Sequence, residues 1–148
     1  MGIKVRNFYF LTAGLLAILF AFTHAWNGQS TVLPVLHVSA IAMDTQTIFM
    51  YVWHIITAEN LIFGFVFIFM SFQSERSKIH FAAWTIVSLL IVRLLVILGI
   101  TTLQDISALT DTLIDSIAIV IYVTFIIVGI RRKPKAFGGQ ISQSGRVE

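Results

Sequence analysis

The chain contains no cysteine. Disulfides, thiolate catalysis, zinc–thiolate sites and iron–sulfur clusters are therefore excluded, while the redox compartment stays open. Charge is also scarce: 11% of the 148 residues are Asp, Glu, Lys or Arg. A soluble domain carries about a quarter. This chain lacks the polar groups to cover a water-facing surface. Absent too are a phosphate-cradling GxxxxGK[ST] loop, a nucleophile elbow and a basic surface for nucleic acid. No internal repeat or low-complexity segment is evident.

What the chain has instead is apolar length, with 57% hydrophobic residues. Four apolar runs, at about residues 7–26, 45–72, 80–103 and 107–130, each reach the roughly 20 helical residues that a bilayer requires. They are too long for barrel strands and do not alternate polar with apolar. The pattern predicts an all-α, polytopic membrane protein: a transmembrane bundle of four helices over residues 1–130, followed by a basic tail over 131–148. The lipid bilayer is its first partner, with a homo-oligomer or a larger membrane complex as further expectations and no nucleic acid.

The basic residues set orientation. Lys4 and Arg6 precede the first run, Arg76 and Lys78 separate the second from the third, and Arg131, Arg132, Lys133, Lys135 and Arg146 follow the fourth. The other two connections carry Asp44 and Asp105 and no Lys or Arg. The positive-inside rule then places both termini in the cytoplasm. The basic, then apolar N-terminus ending in "AFTHA" has the outline of a signal peptide but is read as an uncleaved first helix. Ala13, Ala17, Ala21 and Ala25 repeat every four residues along it. That ladder permits close helix approach, within the bundle or in a dimer.

Pro34 interrupts the connection between Asn27 and Asp44, and "VLHVSAIAM" after it is a candidate interfacial helix. The tight turn at Gln104–Ile106 makes the third and fourth runs an antiparallel hairpin. The Lys/Arg cluster of the tail suits anionic lipid headgroups. Trp26 and Trp84 read as interfacial aromatics, and His37 and His80 as polar boundary residues.

Only Arg93 among the basic residues lies inside a run, in "SLLIVRLLVILG". A lone Arg at the bilayer centre costs from about 2.5 to more than 10 kcal/mol, depending on the measurement. A carboxylate on another helix is the simplest remedy, and Glu59 and Asp111 are the candidates. A structural ion pair is the first reading, and an ion or substrate pathway the second.

Three carboxylates against one arginine strengthen the second. Asp111 and Asp115 are four apart, hence on one helical face. Ser107, Ala118 and Tyr122 continue a polar, small-residue stripe expected to point inward. Asp111 suits a helix N-terminus through the macrodipole. Asp115 is too deep for that and needs a proton, a cation or a histidine. The polar cluster expected within the membrane is Glu59, Arg93, Asp111, Asp115 and His54. His54 and Glu59 are five apart, about 140° around a helix, and do not share a face. No cofactor is expected, with one alternative: His24, His54 and Asp115 converging on a metal ion such as zinc or iron.

"HIITAENLIFGFVFIFMSFQSERSKIHF", "SLLIVRLLVILG" and "LTDTLIDSIAIVIYV" together resemble the PsiE family, the phosphate-starvation-inducible E proteins. The resemblance covers about residues 51–131, and the first helix and its following connection match poorly. The family pattern has an acid in the second helix, a His opening the third, an Arg followed by aliphatics within it, and an Asp opening the fourth. Glu59, His80, Arg93 and Asp111 stand at those positions. The resemblance implies a small four-helix protein of the bacterial or archaeal cytoplasmic (inner) membrane, connected with phosphate limitation. It implies no mechanism. A non-enzymatic accessory or regulatory component of a stress response is the expected role, with a proton-coupled carrier or ion pathway, or a His/Asp metalloprotein, as alternatives.

Overall fold

The computed structural model describes residues 4–38 and 40–132, with the side chains of His37 and Val38 left aside. The expected tail from Lys133 onward, Ser39 and the side chain of His37 lie outside the described residues. Every regular element among them is helical: α1 Phe8–Asn27, a π-helical segment Gly28–Val32, α2 Leu33–Val38, α3 Met43–Phe72, α4 Arg76–Gln104, a 3₁₀ turn Ile106–Ala108 and α5 Leu109–Arg131. Four helical stretches, Phe8–Leu36, Met43–Phe72, Arg76–Gln104 and Ile106–Arg131, are long and apolar enough to cross a membrane. The chain is an all-α, four-helix membrane bundle.

Two ends of the bundle differ in charge. Lys4, Arg6, Arg76, Lys78, Arg131 and Arg132 gather at the end carrying the first described residues and the α3–α4 turn, the basic end. Asp44 and Asp105 mark the opposite, acidic end. Asn7 organises the basic end. Its side-chain oxygen caps α1 by accepting from the amides of Tyr9 and Phe10 at 3.0 and 3.3 Å, and its amide nitrogen donates to the Gly129 carbonyl at 3.0 Å. The amides of Arg6 and Asn7 both donate to the Ser71 carbonyl. One short segment thus ties α1 to α3 and α5.

Side chains in lipid gain little from leaving the surrounding hydrocarbon, so close packing and interhelical hydrogen bonds must hold the helices. The α1–α3 seam shows both. Gly14 and Gly64 face each other so closely that a Cβ on Gly14 would lie 2.7 Å from the Gly64 carbonyl oxygen. The alanine ladder lies inside the bundle: Ala13, Ala17 and Ala21 are buried, and Ala25 is partly so. Phe10 and Phe67 meet across the seam with tilted rings, centroids 5.7 Å apart. On the α5 side, the Tyr122 hydroxyl donates to the Ala13 carbonyl at 2.9 Å, and Tyr122 meets Phe20 edge-on.

The core has a definite place along the axis. Phe10, Phe67, Val87, Leu90, Tyr122 and Ile126 all belong to the half nearer the basic end. No residue of α4 beyond Leu90 is buried, none of α5 before Ser116, and none of α3 between Gln46 and Phe63. Among the described residues, the buried positions towards the acidic end are Gly28, Leu33 and Gln46, on the first span and α3. There Gly28 lies under Trp53, where a Cβ would collide with the indole ring, and Leu33 is buried.

The first span runs past the boundary expected at residue 26. Pro34 has no N–H to donate, so an unbroken α-helix through it would leave a carbonyl without its partner. The chain widens instead: the Leu33 amide donates to the Gly28 carbonyl, five residues back, and α2 resumes with Pro34 in its first turn,. The expected break is a π-bulge within a helical path. The third helix begins at Arg76, ahead of the expected 80. Arg76 Nε meets His80 Nε2 at 3.2 Å one turn on, and Lys78 pairs with exposed Glu75 at 2.9 Å.

Candidate functional site: a polar cluster where the core ends

Arg93 and its partners stand at the boundary between the closed half and the open half. Its guanidinium forms an ion pair with the Glu59 carboxylate of α3 and donates from Nη1 to Asn60 Oδ1 at 3.1 Å. The Arg93 side chain is 20% exposed and that of Glu59 47%. The enclosed arginine is the member that must be paired, since its guanidinium cannot shed its charge. Asn60 went unremarked in the sequence because its amide is neutral. Its signal was position: it is seven residues before Phe67, so it lies on the helical face that packs into the core.

Asp111 takes no part in this pair and is exposed in the first turn of α5. Asp115 is exposed as well. The stripe expected to point inward is buried at its far end, at Tyr122, and exposed at Ser107, Asp111 and Asp115. Ser107 is not on α5 at all. It belongs to the 3₁₀ turn, where its amide and hydroxyl donate to Asp105 Oδ1 at 2.9 and 2.6 Å. Those two bonds, the hydroxyl first, hold the Asp105 carboxyl below its ordinary range. For the two aspartates the direction is inward but the burial is missing. Asp115 precedes Tyr122 by seven residues and Ile126 by eleven, so it points within about 20° of both. They are covered and it is not, because the helices that cover them do not close over the acidic half.

The histidines are handled separately. The donor nitrogen of the Gln29 amide lies 3.2 Å from His54 Nε2, which accepts in its Nδ1–H tautomer. His24 stacks flat on Trp53, centroids 4.3 Å apart and planes 8° from parallel. The Trp53 indole N–H fixes this stack by donating to the His24 carbonyl at 3.1 Å. His24 Nε2 is shut from solvent and has no hydrogen-bond partner, as does Ser116 Oγ. Yet His24, His54 and Asp115 do not converge: among the described residues no group of three His, Asp or Glu side chains is placed to hold a metal ion. An open groove of about 410 Å³ lined by Thr47, Met50, Tyr51, His54, Ile55 and Ala58 runs along the face of α3 turned away from Phe67 and Arg93.

The arrangement offers one satisfied ion pair and several titratable groups at membrane depth. Chemically, the arrangement holds charge within the span by pairing Arg93 with Glu59. No family model, no curated protein and no solved structure matches the chain. Fold and cluster together define a small four-helix membrane protein with ionisable groups inside its spans.

Proposed function

We propose that this chain is a small, non-enzymatic protein of the bacterial or archaeal cytoplasmic membrane, similar to the PsiE family, acting as an accessory or regulatory component when phosphate is limiting. Both termini lie in the cytoplasm, with the acidic end of the bundle outside. The observation that supports the reading is the pairing of Glu59 with Arg93. These are the acid and the arginine at the two positions of the resemblance that lie deep within spans, and they meet across α3 and α4. Such a pair fixes helix register and leaves the exposed faces of the bundle free for a partner in the membrane.

The test is abundance. Membranes of the host organism grown at low phosphate should contain several-fold more of this protein than membranes from phosphate-replete cells. Equal amounts under both conditions would contradict a phosphate-linked role. A second reading, a proton or ion pathway, is favoured by one observation: Asp115 is exposed, faces the bundle side of α5, and lies about 9 Å along the axis from the start of that helix,.

A further inference from the structure

At the basic end, Lys4, Arg6, Arg76, Lys78, Arg131 and Arg132 stand against a single carboxylate among the described residues, Glu75. Glu75 is taken by Lys78 at 2.9 Å, and Arg76 Nε meets His80 Nε2. Arg6, Arg131 and Arg132 form no ion pair among the described residues. The junction of α1 and α5 draws these three together. The side-chain amide of Asn7, next in the chain to Arg6, donates to the Gly129 carbonyl at 3.0 Å. Gly129 lies so close to α1 that a Cβ on it would come 2.8 Å from the Cβ of Tyr9. Arg132 holds its guanidinium over the Tyr9 ring, with Cζ 5.1 Å from the centroid, and Phe125 meets the same ring with centroids 5.2 Å apart.

We infer that this junction binds the phosphodiester headgroup of an anionic phospholipid, held by Arg6, Arg131 and Arg132, with the acyl chains lying along α1 and α5. Like charges held together repel, and an anion among them removes that cost. A guanidinium presents five N–H donors in a planar fork that fits phosphate oxygens two at a time. The Tyr9 ring positions Arg132 while neutralising none of its charge,. Arg131 and Arg132 also suit the C-terminus of α5 through the helix dipole, but the same dipole disfavours Arg6, which precedes the start of α1,. No acid stands in the first turn of α1 to offset it.

Depth and apolar surface assign the source of the phosphate. The first span opens at Phe8 and the fourth closes at Arg131. The three arginines therefore lie where hydrocarbon gives way to headgroups, a zone about 5–7 Å deep on each side of a bilayer. Free phosphate would offer the same oxygens, but the surface beside them is apolar. Val128, 44% exposed, lies three and four residues before Arg131 and Arg132, on their helical face,. Phe8, two residues after Arg6, is 66% exposed. Both give acyl chains a contact that a free ion cannot use.

The test is thermal unfolding of the full chain in a neutral detergent, followed by helical signal, with added phosphatidylglycerol, phosphatidylcholine or inorganic phosphate. Phosphatidylglycerol at a hundred times its Kd should raise Tm by about 5 °C. Phosphatidylcholine, whose ammonium offsets its phosphate, and inorganic phosphate should each give less than half that shift. Arg6→Gln combined with Arg132→Gln should raise the phosphatidylglycerol concentration needed for half the shift by about tenfold. Arg76→Gln combined with Lys78→Gln removes as much positive charge from the same end and should leave that concentration nearly unchanged. Should the first double variant lose its helical signal, Arg6→Gln alone is measured, with a loss of about threefold expected. Equal losses in the two double variants would reduce the effect to diffuse attraction and overturn the inference. So would equal stabilisation by phosphatidylcholine, or no shift with phosphatidylglycerol. A shift with inorganic phosphate as large as with the lipid would make this a free-phosphate site and overturn it as well.

Discussion

Replacing Arg93 by Met leaves Glu59 and Asn60 facing an apolar side chain near the middle of the span. Losing one member of a fully enclosed ion pair costs about 3–5 kcal/mol. Glu59 keeps 47% of its side-chain surface open. It can also take a proton, so the expected loss for Arg93→Met is reduced to about 1.5–2.5 kcal/mol. Glu59→Met should cost more than this. The arginine it strands is only 20% exposed and cannot neutralise itself,. The double variant strands no charge and should lose only about 0.5–1.5 kcal/mol, the scale of the hydrogen bond that Asn60 forfeits. The assay is reversible unfolding in mixed micelles, followed by helical signal, for wild type, both single variants and the double variant. Costs that add to within about 0.5 kcal/mol would refute the pairing as an energetic link between α3 and α4.

Glycine substitutions separate packing from propensity. Gly14→Val pushes a side chain into the Gly64 carbonyl and Ile68, and should lower stability by about 1–3 kcal/mol in the same unfolding assay,. Gly99→Ala meets nothing within 4 Å and should be neutral or stabilising by up to about 1 kcal/mol,. Asp105 gives a pH test. Its carboxyl is held below its ordinary range in the folded turn. The stability it adds is complete above the unfolded value and is lost as pH falls through the lower, folded one. Protection of the Ser107 amide, taken against the intrinsic exchange rate at each pH, should be lost only below the ordinary carboxyl range. Loss of protection above that range would contradict the turn chemistry. Reporter fusions at Lys4 and Glu148 should both read cytoplasmic, and an external signal at either would overturn the orientation.

The parts legible in the sequence are those decided by a single strong cost. Backbone groups in lipid must be bonded within the segment, so apolar length alone indicates four helices. A guanidinium there needs a carboxylate, so Arg93 points to an acid on a neighbouring helix. Choosing Glu59 over Asp111 required tertiary structure, because it depends on which levels of α3, α4 and α5 meet. The alanine ladder predicted close approach, but the backbones of α1 and α3 come close at Gly14 and Gly64, a match between helices that spacing along one helix cannot reveal. Helical period gave Asp115 its direction and misjudged its burial. Period fixes which way a side chain points, and how far the neighbouring helices extend over it is a separate matter. Trp53, which anchors His24 by its indole N–H, stands in an apolar run whose pattern carries no mark of that bond.

In the proposed orientation the open acidic half of the bundle faces outside and the closed core lies on the cytoplasmic side. The absence of cysteine makes this directly measurable. Single cysteines are placed at Asp115 and at Ile126, and intact cells and inverted membrane vesicles are treated with a membrane-impermeant maleimide. The account predicts labelling of Asp115→Cys in cells and not in inverted vesicles, with Ile126→Cys, at a position wholly enclosed in the core, silent in both. Labelling at 115 only from the cytoplasmic side, or equal labelling of the two positions, would contradict it.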